Sequence, residues 1–159
     1  TDRAFLHLSD DGRRGPAGGP IPRVAITKDD AMNYHITKKV DLPFDDALDK
    51  VTAELKKEGF GVLTEIDVKA TMKEKLDIDF RRYTILGACN PPLAHRAIEA
   101  DNTVGVLMPC NVCVYEDQAG NVTISAMDPG GAMAVIRNSA IDEVGQEARE
   151  RIERVMEAV

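Results

Sequence analysis

A helical apolar stripe that stops on a glycine and passes straight into a strand constrains this chain more than any other feature. From Pro43 to Glu58, the residues Phe44, Ala47, Leu48, Val51 and Leu55 recur at the spacing that lines them up on one helix face. Pro43 suits the first turn, where a missing amide proton breaks no hydrogen bond, and Gly59 is a natural stop. Phe60 to Val68 then reads as a strand. A helix with one dry face must be covered, and a strand must be paired, so the pair already asks for a layered domain.

The remaining segments extend that pattern. Asn33 to Val40 favours a strand, an edge candidate, with Tyr34, Ile36 and Lys38 on one face and His35, Thr37 and Lys39 on the other. A short polar helix is expected near Lys69 to Leu76, and a third strand from Phe80 to Ala88. Pro91 and Pro92 end that strand and open a helix carrying Leu93, Ala94, Ala97 and Ile98. Val104 to Tyr115, the most apolar run, is expected to be one strand, joined through the turn Asp117 to Asn121 to a fifth, Val122 to Met127. Asp128-Pro129-Gly130-Gly131 breaks it, and Ala132 to Ser139 is a packed connector. From about Ile141 to the end, Val144, Ala148, Ile152, Val155 and Met156 share one side of a last helix. This order predicts an α+β two-layer sandwich: a largely antiparallel sheet of about five strands with helices packed on one face.

At 159 residues the chain has the length of one domain with a core of its own. The first 31 residues differ from the rest, with the loop chemistry of Gly12-Arg13-Arg14-Gly15-Pro16 and no period. They read as a flexible N-terminal extension or an expression remnant, since the composition shifts at Met32; residues 32–159 are the domain. Five basic and five acidic residues balance in that stretch, so the net charge of −7 belongs to the domain. That charge argues against nucleic acid as a partner, because non-specific affinity comes from neutralising phosphates. Aromatic residues make up only 4% of the chain and Trp is absent, which weakens any base-stacking surface. No run approaches membrane-spanning length, and three cysteines are too few and too odd for a secreted scaffold. A cytoplasmic protein with no membrane partner is the expectation.

Chemistry concentrates where a thiol occurs twice in similar company: Gly87-Ala88-Cys89-Asn90-Pro91-Pro92 and Met108-Pro109-Cys110-Asn111-Val112-Cys113. Cys89 and Cys110 each lie at a proline-flanked break, where side chains can reach a cleft, and Asn90 and Asn111 add amide groups beside them. His95 lies one turn into the helix after Cys89, and Asp128 ends the last strand, where a carboxylate could orient it. A thiol at a helix start also has a route to a lowered pKa. Against this, free cysteine often packs as a small hydrophobe, and Asp before Pro often only starts a turn. Cys110 and Cys113 do not make a dithiol or zinc clamp, because residues three apart in a strand point to opposite faces. No phosphate loop, dinucleotide fingerprint or His-Glu-x-x-His motif is present, and the sequence leaves any cofactor unknown.

From Tyr34 to Ala126 the chain resembles the domain of unknown function 302 family. Three stretches carry the likeness: Gly59-Phe60-Gly61-Val62-Leu63-Thr64-Glu65-Ile66-Asp67-Val68, Tyr83-Thr84-Ile85-Leu86-Gly87-Ala88-Cys89-Asn90-Pro91, and Leu107-Met108-Pro109-Cys110-Asn111-Val112. The resemblance implies an α+β fold and a homodimer, and it supports Cys89, Asn90 and Cys110 as a shared polar feature. It supplies no activity. At Cys113 the family is more often aliphatic, which further weakens a Cys-x-x-Cys reading.

Three functions follow as expectations. The first is a small-ligand or soft-metal binding module with a cleft edged by Cys89, Asn90, His95, Cys110, Asn111 and Asp128. The second is a thiol-dependent redox or sulfur-transfer enzyme, with Cys89 as nucleophile, His95 as acid–base partner and Cys110 as resolving thiol. The third is a non-catalytic oligomeric interaction domain whose cysteines are core residues.

Overall fold

The structure is a computed structural model that describes residues 34–159; the boundary expected at Met32 lies outside the described residues. Five strands, β1 (His35–Val40), β2 (Gly61–Asp67), β3 (Tyr83–Cys89), β4 (Cys110–Glu116) and β5 (Val122–Met127), form one sheet in the order β1-β5-β4-β3-β2. Every neighbouring pair is antiparallel. The helices are α1 (Phe44–Lys57), α2 (Val68–Leu76), α3 (Pro91–Ala100), α4 (Pro129–Met133) and α5 (Ser139–Ala158). The architecture is the α+β sandwich that the pattern of the sequence predicts.

Local chemistry fixes these elements. In α1 the stripe Phe44, Ala47, Val51 and Leu55 is buried, and Gly59 stops the helix at φ 83°, a left-handed conformation that glycine adopts without strain. Glu54 is buried in the same helix, a place the stripe did not suggest; Lys50 and Lys57 each donate to its carboxylate at 2.7 Å. Strand alternation then sorts the sheet into two faces. Leu86, Ala88, Val112, Val114, Ile124 and Ala126 pack toward the helices, while Tyr83, Tyr115, Cys113 and Ser125 lie on the other side. Tyr83 and Tyr115 are register partners there, with stacked rings 5.2 Å apart.

One expected element is different. Val104 to Tyr115 is not a single strand: Asn102–Leu107 forms a 3₁₀ turn, and β4 begins only at Cys110. Asp101 explains the difference, since its carboxylate accepts from the Thr103 amide at 2.7 Å and the Thr103 hydroxyl at 2.6 Å, capping the turn. The apolar Val104 is buried against a helix cluster instead of a sheet. Likewise the connector after Asp128 is partly ordered as α4 and a second 3₁₀ turn, Ala134–Ile136.

The core has two parts. One fills the space between the sheet and α1 and α5, centred on Val51, Leu55, Leu86, Val114, Ile124 and Ile152. The other joins α3, the first 3₁₀ turn, α4 and α5 through Leu93, Ala97, Val104, Met133, Ile141 and Val144. Their seam lies where β3 ends and β4 begins.

Candidate functional site

That seam contains a small cavity of about 30 Å³. Phe60 and Ala88 border it from the sheet-side core, and Leu93, Ala97, Met133, Val144 and Ala148 from the helical core. Cys89, Asn90, Met108, Pro109 and Cys110 close it from the strand ends. Both cysteines are among its lining residues. Cys110 pairs in register with Ala88, so Cys89 is one residue beyond that partner, at the point where β3 turns into α3. Cys110 is 8% exposed, whereas Cys89 is half-buried.

Both thiols are held in the protonated form. Burial pushes the Cys110 thiol up to about 11, with neighbouring Cys89 adding to the shift, and burial likewise raises Cys89. The expected lowering of Cys89 by the helix start is therefore reversed. Burial is the cause of the rise, and the sequence Asn90-Pro91-Pro92 offers little to oppose it: two prolines bring no amide protons to the first turn, and the Leu93 amide is taken by the Asn90 side chain at 3.3 Å. A helix end whose donors are missing or already used has little left with which to stabilise a thiolate.

The other expected site residues separate. Asn90 lines the cavity, but its amide works structurally, as the cap of α3 and as a donor to the Glu58 carbonyl at 3.3 Å. His95 is exposed on α3 and is not among the residues lining the cavity, because the buried side of that helix is Leu93 and Ala97. Asn111 is exposed and borders a hollow on the opposite sheet face beside Tyr83 and Cys113. This is strand parity at work: Cys110 faces the helices, so Asn111 cannot. Cys110 and Cys113 fall on opposite faces for the same reason.

Asp128 is 1% exposed and lies outside the cavity. It caps α4 by accepting from the Gly131 amide at 3.1 Å and pairs with Arg149 at 3.2 Å. Its role is to hold α4 against α5, and through them the wall carrying Met133 and Val144.

Two lining residues carry chemistry that the sequence reading did not assign. Met108 stood in the same hexapeptide as Cys110, so its signal was present but unused. Met133 is more than twenty positions away in what read as a connector, and only the fold of α4 brings it to the seam. Among the described residues, no three His, Cys, Asp or Glu side chains converge as a metal-ligand group, and no helix is long and apolar enough to cross a membrane.

The fold and site define a small α+β domain with two unpaired thiols at a buried strand-end seam. Residues 36–159 match the family described as "Domain of unknown function DUF302", and the chain belongs to that family. It is similar to a solved structure, an uncharacterized conserved DUF302 protein from Bacillus stearothermophilus, with 28% identity and a TM-score of 0.74. The match covers 79% of this chain and 98% of that one. No curated protein matches.

Proposed function

We propose that this domain is a binding module that holds one ion-sized or few-atom occupant in the cavity edged by Cys89 and Cys110. The observation that carries the reading is that Cys89 and Cys110 both line one largely apolar cavity. The volume limits the occupant. Organic ligands the size of a drug or cofactor occupy roughly 300–1,000 Å³, whereas this cavity of about 30 Å³ has room for about one water. A thiol-dependent enzyme is less well supported, since its nucleophile needs a depressed pKa and its acid–base partner, His95, is outside the cavity.

The test compares the wild type with the Cys89→Ala/Cys110→Ala double variant in a thermal-shift panel of thiophilic cations and small neutral molecules. An occupant that binds the native state raises Tm in the wild type, and the double variant, with the same circular dichroism spectrum, loses that shift. Equal shifts in both proteins, or none in the wild type, contradict the reading.

A second reading concerns assembly. The sheet face away from the helices carries the Tyr83–Tyr115 stack and the adjacent pair Ile66 and Ile85, and Ile66 is 46% exposed. A pair of copies meeting through this face makes a homodimer and removes that apolar surface from water. Sedimentation velocity is expected to show a dimer for the wild type and a monomer for Ile66→Asp/Tyr115→Glu. A wild-type monomer at the highest soluble concentration contradicts the assembly.

A further inference from the structure

The occupant's chemical class follows from which atoms surround the cavity, an inference that rests on the binding reading above. Four sulfur-bearing residues line it, Cys89, Cys110, Met108 and Met133, arriving from β3, β4, the segment before β4 and α4. No carboxylate, imidazole or cationic side chain is part of the lining, and the one polar side chain that is, Asn90, already caps a helix. We infer that the cavity is a site for a soft monovalent d¹⁰ cation, cuprous ion or its analogue silver, bound by the thiols of Cys89 and Cys110 with the thioethers of Met108 and Met133 as further donors.

Two observations converge on this class. Thiolate and thioether donors select soft ions, whereas carboxylate, carbonyl and water suit magnesium, calcium and manganese. Zinc is disfavoured separately, because its structural sites take four nitrogen or thiolate ligands, and this site offers two thiols and no third His, Cys, Asp or Glu among the described residues. A cuprous ion accepts linear or trigonal coordination and needs no such set.

Binding is an exchange without electron transfer. The S–H bond of each coordinating cysteine breaks, its proton leaves to solvent, and a sulfur–metal bond forms; each methionine donates a lone pair and loses nothing. Of the two thiols, Cys89 is the more accessible and Cys110 the more deeply buried.

The experiment is an anaerobic titration of the full chain with cuprous ion against a chromogenic cuprous chelator, following the ultraviolet thiolate-to-copper absorption. Wild type, Met108→Leu/Met133→Leu and Cys89→Ser/Cys110→Ser are compared, each checked for native circular dichroism and Tm. The expected result is one ion per chain in the wild type, at least a tenfold weaker affinity in the methionine variant, and no stoichiometric binding in the cysteine variant. Zinc in place of copper is expected to be displaced by a weak chelator. If the methionine variant binds as tightly as the wild type, the thioether assignment is wrong while the thiol-edged module stands. If the wild type takes no cuprous ion but another probe from the thermal-shift panel gives a cysteine-dependent shift, the ion class is wrong and the module again stands. If neither binds, both readings fail.

Discussion

Gly87 leaves no room for a methyl group. A Cβ built on it overlaps the Thr64 hydroxyl and stands 2.9 Å from Pro109 Cγ, so both the β2 strand and the segment leading into Cys110 close over this glycine. Gly87→Ala is expected to cost about 1–3 kcal/mol in urea unfolding, with part recovered by adding Thr64→Ala; an unchanged midpoint contradicts this packing. Cys110 gives a pH signature. Its thiol ionises near the ordinary value of 9.0 once unfolded and at about 11 in the fold, so the native state keeps its proton longer. The native state's advantage is therefore complete below pH 9 and is lost as pH rises from 9 to 11, a loss of up to about 3 kcal/mol. Cys110→Ala is expected to flatten that decline in stability against pH; the same slope in both proteins contradicts it. The sequence showed that Cys89 and Cys110 are special in their setting, because proline punctuation is visible in one dimension. It could not show the direction of their pKa shifts, because that depends on which walls enclose them and on amides that Asn90 consumes.

Lys38 joins β1 to the far end of α5. Its ammonium donates to the Met156 carbonyl at 3.1 Å, Glu157 at 3.0 Å and Val159 at 2.6 Å, where unpaired helix carbonyls concentrate negative charge. Lys38→Met keeps the aliphatic stem and is expected to cost about 1–2 kcal/mol, with amide exchange accelerated in the last turn of α5; unchanged exchange there removes this capping role. The same elements show why much of the architecture could be read from the sequence. α1, β5 and α5 fall within a few residues of their expected ranges, because each has a clear apolar period and a turn or glycine at its boundary. Val104 misled for the opposite reason: apolar content alone does not distinguish a strand from a tight turn packed on helices, and the Asp101 cap that decides between them lies just outside the apolar run.

The molecule is organised as one sheet with a second, helical core set beside the first, and the thiol cavity is where those two cores meet. This explains why half of the expected site dispersed. His95 and Asn111 are close to the thiols along the chain and Asp128 ends the strand paired with β4, but helix facing, strand parity and the Arg149 pair send them elsewhere. Met133 was distant along the chain and arrives because α4 folds back on α5. The central claim is thus a claim about place: one seam, two strands, one small occupant. Crystals soaked in silver ion and measured for anomalous scattering test it most directly. A single dominant peak within bonding distance of both Cys89 and Cys110 Sγ is expected; a dominant peak at Cys113 on the opposite face, with none at the seam, rules the site out.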